Sequence, residues 1–201
     1  MEHLTLVTAP SVEPISIEEA KAHCRVTTND EDSLLAIYIA TARQHVEADT
    51  ARALITQTWD WKMDSFPFRW PVEVLRAPLS SVTSVKYLDS DNSEQTWAAA
   101  NYRVTAPSGT HAEPGTIGLA YGVTLPTVYP VDHAVTIRFV AGYGASGSSV
   151  PAALRAAILL LIGEMYERRT ESIVGTTSTQ VEFSVDALLS PFRVQRWGLL
   201  V

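Results

Sequence analysis

Hydrophobic periodicity predicts an α+β fold, a small helical core of two N-terminal helices and one long C-terminal helix interrupted by an antiparallel β insertion. Three observations predict it. Residues 15–51 repeat apolar side chains at helical spacing, behind a capping signal. Residues 56–142 switch to short alternating runs broken by Pro, Gly and Ser. Residues 151–169 return to a strongly apolar helix opened by a proline. The expected division is therefore 1–55 with 145–201 as the helical core and tail, and 56–144 as the β-rich insertion.

The first helix is predicted over Ile17–Cys24. Ser16 and Glu19 form a capping box, in which the serine hydroxyl takes the N3 amide and the glutamate takes the N-cap amide. A second helix is expected over Glu31–Ala51 with Asp30 as N-cap, since Asp accepts orphan amides there and Glu31 and Asp32 favour the positive end of the dipole. Leu35, Tyr38, Ile39, Ala42 and Val46 share one face, and Arg43, Glu47 and Asp49 are expected to point away from it.

From Thr58 the period is two. Trp59, Trp61 and Met63 alternate with polar residues, as in a half-buried strand over Thr58–Asp64. Val72–Leu75, Val82–Leu88, Gln95–Trp97, Tyr102–Thr105, Thr116–Leu119 and Ala134–Val140 are further strands, separated by turn residues such as Asp89–Ser93. Pro151 suits the first turn of a helix, where its missing N–H costs nothing. Leu154, Ile158, Leu161, Ile162 and Met165 give that helix a wide apolar face, extended by Leu159, Leu160 and Tyr166. A polar loop at Thr176–Gln180, an alternation at Val181, Phe183 and Val185, and a short helix over Val185–Leu189 follow. The tail from Phe192 is apolar, with no obvious core partner.

Bulk properties narrow the function classes. The chain has 201 residues, 46% hydrophobic and 18% charged, which is globular. The formal net charge is −7, from 22 acids against 15 bases, and this disfavours a nonspecific phosphate binder. It is compatible with a wall past which DNA slides. One cysteine, Cys24, excludes an internal disulfide framework and a multi-cysteine metal site. The first residues lack the basic and apolar regions of a secretory signal. The longest apolar run, Ala156–Gly163, is far short of the roughly 20 residues that a membrane span needs.

Candidate chemistry is sparse. Gly142, Gly144 and Gly147 spell a G-x-G-x-x-G fingerprint between a strand and a helix, the pattern of a dinucleotide-binding loop. Three residues separate Gly147 from Pro151, however, and no βαβ unit with an acidic strand end has room to follow. A strand-to-helix hinge is the competing reading. His23 and Cys24 are adjacent on a helix, about 100° apart, and cannot pair as base and nucleophile. The paired carboxylates sit at helix starts and turns, where capping already accounts for them. No cofactor, metal or catalytic set is expected. Phe68 and Trp70, set among prolines, are interface candidates with a local aromatic core as the alternative; Trp59 reads as core.

Ile15–Val26 with Asn29–Asp32, Arg52–Trp59, Pro78–Leu88, Tyr102–Val104, Val135–Gly144, Val150–Pro151 and Tyr166–Arg169, then Val185–Val194, together resemble the head–tail connector (adaptor) proteins of long-tailed bacteriophages. The resemblance runs through nearly the whole chain in the same order. It implies a structural protein of the virion neck, made in the host cytoplasm. Many copies, commonly twelve, form a ring below the portal and extend the DNA channel without sequence-specific binding. The ring also offers a docking surface to a downstream neck or tail-completion protein, and no membrane is involved. The C-terminal segment of that family commonly engages the portal, which makes Phe192, Val194, Trp197, Leu199 and Leu200 the portal-contact candidates. Removing residues 192–201 is then expected to abolish portal attachment and spare the fold. The alternatives are a nucleotide-binding enzyme using the Gly142–Gly147 loop, or an assembly factor absent from the finished virion.

Overall fold

The computed structural model describes residues 2–168 and 178–194, with side chains described from Ser184 in the second stretch. Among the described residues the fold is α+β, with four α-helices and antiparallel sheets. It divides into two compact units, Met1–Pro10 with Thr56–Tyr143 and Ser11–Ile55 with Gly144–Val201. The first ten residues thus lie with the strands, and not with the helices as expected. The cause is a strand that sequence reading missed, β1 (His3–Thr8), whose partner lies some fifty residues away.

The strand unit holds two sheets. Besides β1 they contain β2 (Gln57–Met63), β3 (Val72–Glu73), β4 (Leu79–Leu88), β5 (Glu94–Trp97), β6 (Tyr102–Thr105), β7 (Thr116–Leu119) and β8 (Val135–Ala141). The larger sheet runs β1-β2-β8-β4-β5 and the smaller β3-β7-β6, all antiparallel. Register explains why the larger sheet has one apolar face. Leu4, Trp61, Ile137, Val85 and Trp97 lie in one cross-strand row, and Leu6, Trp59, Phe139 and Val82 in another. The intervening row, Thr5, Asp60, Arg138 and Ser84, is polar. Trp61, Ile137 and Phe139 are buried, whereas Trp59 is half-buried under the Arg76 guanidinium, 5.1 Å from its ring.

In the helical unit, α1 (Ile17–Cys24) starts as predicted, with both halves of the Ser16–Glu19 capping box formed. It stops at Arg25, which takes a left-handed conformation at φ 58°. The second helix, α2, covers Asp32–Thr50 with Glu31 at its N-cap, so Asp30 is not the cap. Tertiary partners set that start: Tyr166 donates its hydroxyl to Glu31 and Lys21 pairs with Asp32 at 2.9 Å.

The third helix, α3 (Ala152–Glu167), packs on α1, α2 and the fourth helix, α4 (Ser178–Leu189). Pro151 sits one residue earlier than expected, at the N-cap. Leu154, Ala157, Ile158 and Ile162 of α3 are buried, as are Leu35, Ile39 and Val46 of α2, on which it packs. Each large apolar side chain so buried contributes about 1.5–3 kcal/mol. The rest of the expected apolar face, including Leu159, Leu160, Leu161 and Met165, is only half-buried.

The fourth helix takes in Ser178–Gln180 of the expected polar loop and the expected alternation, and it contains the short helix expected over Val185–Leu189. Its i, i+4 pair Val185 and Leu189 is buried on one helical face.

Candidate docking surfaces

Three places carry the residues singled out in the sequence. The glycine-rich segment comes first. Gly142 has φ +135°, a conformation that L side chains rarely adopt, and its amide donates to the Pro78 carbonyl. Gly147 is packed closely: a Cβ there would lie 2.6 Å from the Pro14 carbonyl oxygen. A Cβ on Gly144 would lie 2.5 Å from the Ser149 hydroxyl. A short 3-10 turn, Gly147–Ser149, then leads into Pro151. The hydroxyls of Ser148 and Ser149 bond Ser146 at 2.9 and 3.1 Å, so they serve one another.

The second place is the C-terminal end of the described chain. Phe192 is buried, only 3% exposed, which removes its side chain from the set available to a partner. Its carbonyl accepts from the buried Arg52 guanidinium. Arg193 forms two hydrogen bonds to Asp49, of 3.0 and 3.1 Å, and pairs with Asp186 at 2.6 Å. The Val194 amide donates to the Thr50 carbonyl at 3.1 Å, and the Val194 side chain is half-buried. The chain is thus held to the end of α2 up to Val194. Trp197, Leu199 and Leu200 lie outside the described residues. Beside this anchor, Leu161, Val185 and Leu189 line a groove of about 350 Å³ with Asp49, Asp186 and Arg193.

The third place is the loop between β2 and β3. Phe66 is buried among Trp97, Tyr87 and Trp70, at centroid distances of 5.1, 5.9 and 6.5 Å. Trp70 also meets Trp97 at 6.2 Å, so it belongs to this cluster and is half-buried. Between these two anchors Phe68 is 100% exposed. It flanks a cleft of about 660 Å³ lined also by Met63, Phe66 and Leu125. Full exposure of a phenylalanine forgoes its burial free energy, and aromatic side chains are enriched at interfaces.

Reactive groups do not gather. Among the described residues no three His, Cys, Asp or Glu side chains come together as a metal site. Burial, with the Glu167 charge behind it, pushes the Cys24 thiol up, the opposite of what a nucleophile needs. Among the described residues no helix is long and apolar enough to cross a membrane.

Sequence reading missed the buried polar groups of α2. Arg43 and Glu47, expected to face away, are 9% and 8% exposed. Arg43 donates to Glu47 at 2.8 Å and to Glu13 at 2.7 Å. Burial opposes the Arg43 charge, but the hydrogen bond to Glu13 and the fields of Glu47 and Glu13 outweigh it and raise its pKa. An i, i+4 Arg–Glu pair is the only local signal, and it does not distinguish a core pair from a surface one.

Fold and surface together define a class: an α+β protein whose described residues offer anchored apolar contact points and no reactive cluster. Residues 14–106 match the family model of Phage gp6-like head-tail connector protein, and the resemblance to head–tail connectors is borne out. Solved structures agree. A chain from the neck of an empty GTA particle computed with C6 symmetry is 29% identical, with TM-score 0.77 over 98% of this chain and 98% of that one. A chain from the virion of a native gene transfer agent (GTA) particle is 28% identical, with TM-score 0.75 over 98% of this chain and 97% of that one. A chain from the neck of a native GTA particle computed with C12 symmetry is 28% identical, with TM-score 0.71 over 98% of each. No curated protein matches the chain.

Proposed function

We propose that this protein is a structural, non-catalytic connector of the neck of a tailed phage or phage-like particle. Near-complete coverage of neck chains at 28–29% identity is the observation that carries this reading. Copies of the chain close into a ring below the portal, lengthen the DNA channel and present a surface to the next neck or tail-completion protein. The symmetries of the similar structures, C6 and C12, suit a ring of twelve copies. A cyclic ring of identical chains needs two different patches per copy, one meeting the other around the circle. The half-exposed apolar side of α3 and the Phe68 loop are candidate patches. The helical unit serves as ring wall, the strand unit as the insertion carried on it, and the Gly142–Gly147 segment as their joint. The tail beyond Val194, with Trp197, Leu199 and Leu200, contacts the portal. A net charge of −7 lets DNA pass without sticking.

Particles assembled without this protein test the reading. They should package DNA and remain tailless, as counted by electron microscopy and infectivity. Tailed, infectious particles overturn it.

A further inference from the structure

The chain passes between the two units three times, at Pro10/Ser11, Ile55/Thr56 and Tyr143/Gly144. On the helical side, the three connecting segments are tied to one another. The segment after the first passage holds Glu13 and Pro14. The segment before the second, Arg52–Ile55, is irregular yet buried, so its amides need partners inside the protein. Glu47 supplies one, accepting from the Leu54 amide at 2.9 Å. The other Glu47 oxygen takes Arg43, and Arg43 takes Glu13. The first two connections are therefore linked through the Arg43–Glu47 pair.

The third connection reaches the same point by a separate route. Gly147 lies against the Pro14 carbonyl, with a hypothetical Cβ 2.6 Å from it. Arg155, at the start of α3, donates to that carbonyl at 3.2 Å and pairs with Glu19. Glu19 in turn caps α1 through the Ser16 amide at 2.9 Å.

We propose that Glu13–Pro14 is the hub of a three-way joint, which makes the helical ends of all three connections open and close as one cooperative element. Gly147 is then a packing residue at this hub and not a free swivel. This inference concerns the helical unit alone and does not depend on the role of the protein in a particle.

Hydrogen exchange on the full chain tests it with two mild variants. Glu13→Ala removes a partly exposed carboxylate from the first connection, and Gly147→Ala crowds the third. Local opening is read amide by amide. Glu13→Ala should speed exchange at Leu54 and also at Ser149 and Val150 by about tenfold or more, the effect of losing one charge-assisted hydrogen bond. Gly147→Ala should do the same at Leu54, while amides within α2 from Leu35 to Val46 keep wild-type rates. Acceleration confined to the segment carrying the substitution overturns the joint. If Gly147→Ala fails to fold, Glu13→Ala alone decides, because its readout at Ser149 and Val150 lies in another connection.

Discussion

Asp60 and Arg138 lie directly opposite each other on β2 and β8 and share two hydrogen bonds, of 2.7 and 2.8 Å. The pair occupies the polar row of the larger sheet, with the Asp60 side chain 11% exposed and that of Arg138 44% exposed. The Arg138 hydrogen bond comes first among the influences that hold the Asp60 carboxyl below its ordinary range, and the positive fields of Arg138, Lys62 and Lys86 add to it.

A lowered folded pKa means the unfolded chain binds the proton more readily. The stabilisation is present above the unfolded pKa of Asp60 and is lost as pH falls through the folded one. Urea unfolding of wild type between pH 6 and pH 2.5 should therefore weaken more steeply than that of Asp60→Asn. At neutral pH the substitution should cost about 1 kcal/mol, because one partner is well exposed. Parallel acid limbs in the two proteins contradict this assignment.

Phe66 and Phe68 are two residues apart and should behave oppositely. Phe66→Ala empties an aromatic core and should cost about 3–5 kcal/mol in denaturant unfolding. Phe68→Ser should change stability by less than about 0.5 kcal/mol. Under the proposed function it should nonetheless weaken assembly or partner binding, read by light scattering and by co-purification with neck proteins.

The C-terminal boundary needs moving from its expected place. Deleting 192–201 removes buried Phe192 and the Arg193 links to Asp49 and Asp186, so the fold should suffer. A deletion of 195–201 spares these contacts. It should leave the thermal transition within about 3 °C of wild type, a shift corresponding to about 1 kcal/mol for a domain of this size. It should also abolish co-purification with the portal. Retained portal binding refutes the role given to the tail.

Ile158 in α3 is fully buried, and Ile158→Ala should cost about 2–5 kcal/mol through lost transfer energy and the cavity left behind. Leu159 beside it is half-buried. Leu159→Ala should cost clearly less in the isolated chain, with its larger effect on ring formation if that side of α3 meets a neighbouring copy. Comparing the monomer's unfolding with the ring's mass separates the two effects.

Legibility followed the range of the interaction. The α1 start, the alternation of Trp59, Trp61 and Met63, and the short strands at 102–105 and 116–119 depend on residues a few positions apart, and their patterns are written locally. The strand β1 was missed because its hydrogen bonds go to β2, far along the chain. Arg43 and Glu47 read as surface residues because nothing local reveals that Glu13 and Leu54 arrive beside them. Phe68 and Trp70 were equivalent in sequence, and only the position of Trp97 separates an anchored ring from an exposed one.

By itself, the amino-acid sequence determined the α+β class, the start of α1, the lack of a chemical motif with its required context, and the resemblance to head–tail connectors. These rest on periodicity, capping and composition, which act within a turn or a strand. Tertiary structure alone decided that residues 3–8 join the strand unit, that Phe192 is core, that α2 carries a buried ion pair, and that Gly147 is pressed against Pro14. Each of those depends on which distant segments share the same space, and close packing settles that only when the whole chain is folded.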